Sequence, residues 1–319
     1  MNPQGPDFRS VTGIGGNVNG LVNPNEKQPK TDEFSGTLER ELVANTAVRV
    51  TGVYTHNLNS HVLSDISREG QYTIPITNRD PGPDGRLGTA DDTGQSFTYY
   101  EYPTSLAAAS FSKTMFTNSD AADSKFKSFE VAFTKRPSRG WQITGSYSTT
   151  WLDIPIQCGA AGTGLGSGNP LIWYPTRCAS NPNQAFNTAN NTREWQAKMS
   201  GAYTLPWAIL ASANYDIRSG LKQARQVQFT GGTTIRSINL DVEPIGSTNL
   251  PNTHELDVRL AKRVNLKSAA RSIELRADIY NALNKGTVRG RTLLSGANYL
   301  RPSLIMFPRI IQLGATLTF

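Results

Sequence analysis

One acidic stretch of the chain has the spacing of a calcium-binding loop. Residues 78–94 read NRDPGPDGRLGTADDTG, with Gly85 at the position where an EF-hand loop turns. Gly82 leaves the third position without a ligand, and the last ligand is Asp rather than Glu. Hard oxygen ligands on a tight loop predict a structural Ca²⁺ ion, and the alternative is a solvated acidic turn. The predicted ligands are Asp80, Asp84, Arg86 through its backbone carbonyl, and Asp91.

The two cysteines of the chain, Cys158 and Cys178, lie in one segment rich in glycine. In an oxidising surface compartment this pair predicts a disulfide, and two free thiols are the alternative. Closing such a loop would stabilise it by about 3 kcal/mol in the chain-entropy model.

Motifs for catalysis are missing from the sequence. It contains no GxSxG, no HExxH and no paired Cys and His spacing, and its histidines, His56, His61 and His254, are scattered. His56 and His61 are close enough in sequence to suggest a metal role, but solvated surface histidines are the simpler interpretation. We therefore expect no enzyme activity and no cofactor apart from the structural calcium.

Six charged residues alternate with apolar ones in residues 253–264 and 271–281. Successive side chains of a strand point to opposite faces, so each segment predicts a strand with one charged and one apolar face. Paired carboxylates can act as acid and base, but this alternation on adjacent strands favours a charge ladder that faces a lumen. The six residues are Glu255, Asp257, Arg259, Glu274, Arg276 and Asp278.

The same period of two recurs along the chain and predicts an antiparallel all-β fold of about nine strands. Short and long links alternate between them, with long links at 57–124, 153–191, 219–252 and 282–308. The predicted strands lie near 33–42, 47–56, 128–134, 141–151, 195–203, 207–218, 253–264, 271–281 and 311–319.

Strand length and aromatic placement indicate a transmembrane β-barrel, with a soluble β-rich protein as the alternative. Trp141 and Trp151 lie on one face of a strand, roughly 33 Å apart at ~3.3 Å per residue. A tilt of about 45° reduces this to roughly 23 Å, close to the ~25 Å apolar band between aromatic girdles. The predicted girdle residues are Trp141, Trp151, Trp207, Tyr215 and Phe319. Long loops are then extracellular and short turns periplasmic.

Composition agrees with this class and excludes others. The 319 residues are 37% hydrophobic, have a mean hydropathy of −0.40 and carry a net charge of +7. No apolar run is long enough for a transmembrane helix, and aromatic residues are too frequent for wholesale disorder. A nucleic-acid ligand is not expected, because basic residues and aromatics do not interleave along a stripe.

The chain reads as the C-terminal portion of a longer barrel. Residues 1–30 contain no secretion signal. Nine strands is an odd number, and an open sheet would leave two edges unsatisfied in lipid. We expect residues 1–32 to be an extracellular loop segment and residues 33–319 to be barrel.

The last two predicted strands resemble those of TonB-dependent outer-membrane receptors. The resemblance rests on RSIELRADIYNALNKG, with Asn281 and Asn284 where the strand leaves the membrane, and on RIIQLGATLTF, which ends at Phe319. The chain is similar to the large acidobacterial receptors, some of which carry an N-terminal carboxypeptidase-regulatory-like domain. The resemblance implies a full barrel of about 22 strands around a plug. It also implies a TonB box outside this sequence and recognition of Phe319 by the barrel assembly machinery.

The resulting hypothesis is an outer-membrane receptor of a Gram-negative bacterium. It would import a scarce, bulky nutrient with energy from the TonB system, and its outer surface would contact lipid. Siderophore, cobalamin, oligosaccharide and peptide all remain open as substrates. A passive porin-like or adhesin-like barrel and a soluble surface protein are the alternatives.

Overall fold

The computed structural model describes residues 20–108, 113–155, 182–266 and 268–319. Regular structure in these ranges is β-strand, with short 3-10 turns at Thr104–Leu106, Asp120–Ala122, Pro182–Ala185 and Pro206–Ala208. The strands are β1 (Gly20–Val22), β2 (Lys30–Val43), β3 (Thr46–Leu58), β4 (His61–Asp65), β5 (Ile74–Arg79), β6 (Ser96–Glu101), β7 (Thr114–Asn118), β8 (Ser124–Ser138), β9 (Trp141–Asp153), β10 (Arg193–Leu205), β11 (Ile209–Arg218), β12 (Lys222–Gln223), β13 (Gln226–Thr230), β14 (Ser237–Asp241), β15 (Thr248–Asn249), β16 (Thr253–Leu266), β17 (Ser268–Tyr280), β18 (Val288–Arg291), β19 (Pro302–Ile305) and β20 (Ile310–Thr318).

The nine long strands form one antiparallel sheet in the order β2-β3-β8-β9-β10-β11-β16-β17-β20. Each strand pairs with the next long strand along the chain, so the sheet is a meander. The predicted all-β class, the antiparallel arrangement and the number of long strands are confirmed. Within the described residues, β2 and β20 each have a partner on one side, and the sheet does not close on itself.

The short links are tight turns at one end of the sheet. Asn45 has φ 65°, Arg139 and Gly140 have φ 52° and 81°, and Trp207 has φ 62°. Such left-handed residues reverse the chain in few residues. The strand predicted to begin at Trp207 begins at Ile209 instead, because Pro206 and the left-handed Trp207 place that tryptophan in the turn.

The two faces of the sheet differ in polarity. Paired positions such as Val131 with Tyr147 and Tyr215 with Leu256 place the apolar side chains of all nine strands on one face. Many of these large side chains are exposed, up to 78% for Leu313. The exposed members include Phe34, Leu38, Phe129, Phe133, Met199, Tyr203, Leu260, Leu275, Ile311, Leu313 and Leu317. An apolar surface of this extent marks contact with another apolar phase or partner.

The hydrophobic core lies outside the long sheet, in the segments that connect its strands. The hairpin β5–β6 packs against the hairpin β13–β14, and we call residues 74–102 and 223–245 the loop body. Its centre is formed by Tyr99, Val227, Phe229, Leu240 and Val242, all nearly inaccessible to solvent. The long links predicted without strands of their own therefore contain hairpins and a packed interior.

No helix in the described ranges is long and apolar enough to cross a membrane.

Candidate functional site

The charged face of the long sheet holds the first candidate site. β16 and β17 place Arg259 directly opposite Asp278, and the guanidinium donates to that carboxylate. Arg276 lies two residues before Asp278, with its Nε 3.9 Å from the second carboxylate oxygen. Asp278 is 4% exposed, so three of the six predicted charges form a compact cluster around one buried carboxylate.

The other predicted charges have separate surroundings. Asp257 accepts the backbone N–H of Asn281 at 2.9 Å, which ties the end of β17 to β16. Glu255 lies opposite Asp216 on β11, and Glu274 lies opposite Arg263. The structure thus brings a mixed set of charges to one face but does not join them in a single network.

A small hollow opens among these charges. It measures about 200 Å³, and its wall includes Ser200, Asn214, Asp257, Arg259 and Asp278. Hydroxyl, amide, carboxylate and guanidinium groups together can donate to and accept from a polar solute. The arrangement is suited to weak, reversible contact with a polar solute.

Aromatic side chains lie near both ends of the apolar face. Trp141 begins β9 with the Lys135 amine 4.4 Å from its ring centroid, and Trp151 lies near the other end with Arg193 at 5.3 Å. Trp207 is 82% exposed in its turn, and Phe319 is 94% exposed just beyond β20. Tyr215 lies farther along β11 and donates to or accepts from Nδ1 of His254 at 2.7 Å.

A buried ion pair joins the two halves of the loop body. Arg225 Nη1 is 2.8 Å from Oδ1 of Asp80, and Nη2 is 2.5 Å from Oδ2. Both residues are 2% exposed, and Glu243 accepts from Arg225 Nε at 3.1 Å. Burial by itself raises the pKa of Asp80, but hydrogen bonds from Arg225, Thr93 and the Gly82 N–H outweigh it and lower the pKa.

Glu101 supplies a second buried carboxylate to the loop body. Its Oε2 accepts the backbone N–H groups of Thr233 at 2.7 Å, Thr234 at 2.8 Å and Ile235 at 3.1 Å. Burial opposes the charge, but these amides and the Thr234 hydroxyl outweigh it, so the pKa of Glu101 is lowered. A charged Glu101 therefore stabilises the turn between β13 and β14.

The predicted calcium ligands are engaged in hydrogen bonds of the loop itself. Asp84 accepts the Arg86 N–H at 2.8 Å, and Asp91 accepts the Asp84 N–H at 2.9 Å. Asp80 is turned inward to Arg225. Among the described residues no group of three or more metal-ligating side chains converges. The calcium site stays a prediction.

The glycine that matches the EF-hand turn has a structural role here. Gly85 has φ +73°, and a Cβ at this position would lie 2.9 Å from the Cα of Gly296 in the link between β17 and β20. The N–H of Gly296 also donates to the carbonyl of Pro83 at 2.9 Å. The acidic loop is thereby docked onto a second long link. Cys158 and Cys178 lie outside the described residues, so the disulfide also stays a prediction.

Sequence reasoning did not single out Arg225 or Glu101. The signal for their hairpins is short but present: QVQFT in β13 alternates, with Val227 and Phe229 buried and Gln228 exposed. Nε2 of His61 bonds the Glu26 carboxylate, and the His61 ring packs on Phe116 with the ring centroids 4.4 Å apart. That contact ties the segment before β2 to the link after β3.

Comparisons with known proteins show a structural likeness to an outer-membrane transporter. No protein-family model matches the sequence. No curated protein matches it either. The fold is similar to the crystal structure of the outer membrane transporter YddB from Escherichia coli, with a TM-score of 0.49 and 13% identity. The alignment covers 94% of this chain and 34% of that chain, so the chain spans about one third of the transporter's length.

Proposed function

We propose that this chain forms part of the wall of an outer-membrane transport barrel. Its apolar face contacts lipid and its charged face lines the route of the solute. The observation that carries the proposal is the two-faced sheet. β9 has 13 residues, and at ~3.3 Å per residue and a tilt of ~45° it spans roughly 30 Å, enough to cross an apolar band of ~25 Å.

The finer proposal is energised import of a scarce, bulky nutrient through coupling to the TonB system. The loop body supports a receptor over a passive pore, because its packed core gives the long links a fixed surface that can hold a ligand. The charged cluster at Arg259, Arg276 and Asp278 lies on the face that such a solute would pass. A plain porin or adhesin-like barrel remains the second candidate, and the folded long loops are compatible with an adhesin.

Location and energy coupling can be measured together. The complete gene is expressed in a Gram-negative host, membranes are separated by density, and uptake of candidate siderophores, cobalamin, oligosaccharides and peptides is followed. We expect the protein in the outer-membrane fraction and uptake that stops when a protonophore collapses the inner-membrane gradient. Uptake that continues without the gradient contradicts energised import and favours the porin. Recovery from the soluble fraction contradicts the barrel.

We also propose that the acidic loop at residues 78–94 binds Ca²⁺. The side chain of Asp84 is exposed and that of Asp91 is half-buried, and both supply the oxygen ligands that Ca²⁺ prefers. Limited proteolysis of the folded protein is compared in Ca²⁺ and in chelator, with Asp84→Asn as the matched variant. We expect Ca²⁺ to slow cleavage of the loop in the wild type alone. Equal cleavage in both buffers contradicts the site.

A further inference from the structure

A wide hollow interrupts the apolar face of the sheet. It has a volume of about 570 Å³ and crosses β9, β10, β11 and β16. Volumes of roughly 300–1,000 Å³ are typical of sites for small apolar ligands. Its wall is almost entirely carbon, and its larger apolar side chains include Trp141, Met199, Tyr203, Tyr215 and Leu256.

The hollow exists because small residues meet at its floor. The register places Gly201 directly opposite Ala213, with Ala211 two residues earlier on β11. Larger side chains surround them, since Tyr203 pairs with Ala211, and Met199 pairs with Tyr215. A flat apolar face would contact disordered lipid equally at every position, whereas this depression can hold one acyl chain in place.

Two lysines and an aromatic belt lie at the end of the hollow nearest the short turns. The Lys135 amine lies over the ring of Trp141 and is held by the Ser138 hydroxyl at 2.5 Å and the Arg136 carbonyl at 2.8 Å. On the other side, Lys262 lies opposite Ile209, two residues beyond Ala211 in the wall of the hollow. Aromatic side chains concentrate at the level of lipid headgroups, and the exposed Trp207 lies at this same end.

We propose that the hollow is a binding site for one anionic phospholipid of the inner leaflet. Its acyl chain lies over Gly201 and Ala213, and its phosphate lies beside the held amine of Lys135, with Lys262 adding positive charge from the other side. Anionic headgroups are attracted by basic residues at the membrane surface, and acyl chains by apolar area. The inference rests on the proposed membrane location, since the hollow must face lipid.

Native mass spectrometry tests the proposal on the full chain in detergent. The protein is supplied with equal amounts of phosphatidylglycerol and phosphatidylcholine that carry the same acyl chains. Each lysine near a charged lipid is worth about a fivefold preference. We expect the wild type to retain one phosphatidylglycerol in clear preference, and Lys135→Gln to reduce that preference about fivefold. Lys127→Gln is the matched control, on the same strand and face but at the opposite end.

Filling the hollow separates the acyl site from the headgroup site. Ala213→Phe should remove retention of both lipids, and Ala211→Leu serves the same purpose if the first variant does not fold. Equal retention of the two lipids by the wild type overturns the inference, as does an unchanged preference in Lys135→Gln. A wild-type dimer that carries no lipid, and that either filling variant converts to a monomer, would show that a second copy covers this face. That result also overturns the inference.

Evidence against the lipid site can be distinguished from evidence against the proposed transport function. A protein that sediments with outer membranes and takes up solute but shows no lipid preference loses only the lipid site. A protein recovered in the soluble fraction loses both.

Discussion

At the scale of single residues, Arg225 holds the polar interior of the loop body together. Arg225→Gln leaves Asp80 as a buried carboxylate without its charged partner. Breaking a buried pair from one side typically costs about 3–5 kcal/mol. We expect trypsin to cut residues 78–94 much faster in this variant, with a lower unfolding temperature for the loop body.

Arg236→Gln is the matched control for that variant, because Arg236 lies in the same half of the loop body as Arg225, is exposed, and leaves the trypsin sites of residues 78–94 intact. It should leave the unfolding temperature within the small range of surface substitutions. Equal protease sensitivity of the two variants would mean that the Arg225 pair does not stabilise the loop body.

Acid should loosen the same region. The pKa values of Asp80 and Glu101 are lowered from their ordinary values of 3.8 and 4.5, so the unfolded state binds protons first as the pH falls. Their contribution to stability is complete at neutral pH and is lost as the pH falls below about 4 through the folded-state pKa values. Hydrogen exchange at Thr233 to Ile235, corrected for its intrinsic pH dependence, should rise there. In Glu101→Gln the exchange rate at these residues should depend less on pH. If the rate still rises in acid in that variant, Glu101 is not the cause of the rise.

The sequence predicted the chemistry of individual residues only where neighbours on a strand decide it. Alternation placed Arg259, Arg276 and Asp278 on one face, and the structure brings them together. Alternation could not reveal that Asp80 pairs with Arg225, because the two are 145 residues apart. Periodicity describes the local path of the chain, whereas such a pair depends on how distant links pack.

At the scale of elements, β8 and β9 fit closely where an aromatic ring covers a glycine. A Cβ on Gly145 would lie 2.5 Å from Cε1 of Phe133, whereas a Cβ on Gly52 would meet nothing within 4 Å. Gly145→Ala should therefore destabilise the sheet by about 1–3 kcal/mol, the usual cost of overpacking. Thermal unfolding of both alanine variants in detergent checks this, and Gly52→Ala should be nearly neutral. Equal unfolding temperatures would show that the Phe133 ring moves away freely.

The long strands were predictable and the short ones were not, for a physical reason. A strand such as β9 repeats its alternation over enough residues to stand out, and its boundaries were predicted to within a few residues. The hairpin strands of the loop body are five or six residues long and include Pro75 and polar positions. Over so few residues, alternation is hard to distinguish from a loop, so the buried core around Tyr99 was missed.

At the scale of the whole molecule, the surroundings of the apolar face can be tested by placing charge on it. Leu313 and Thr316 are both exposed on β20 but lie on opposite faces. In water, Leu313→Arg and Thr316→Arg should each change stability by no more than about 0.5 kcal/mol. In a bilayer, arginine on the lipid face near the midplane costs about 2–4 kcal/mol. We expect Leu313→Arg alone to be destabilising when unfolding is measured in lipid vesicles. Equal effects would contradict a lipid-facing surface.

The position of the hydrophobic core has a consequence for the order of folding. Four of the eight strand pairings in the long sheet close across links of one to three residues, so the closure entropy of these hairpins is small. The Asp80 to Arg225 pair closes a segment of 145 residues, a far longer loop than those of the hairpins. Contacts of such high sequence separation slow folding. The hairpins of the sheet should therefore gain protection from exchange first and the loop body last, so a newly made molecule would pass through a stage with these strands paired and its loop body still unassembled.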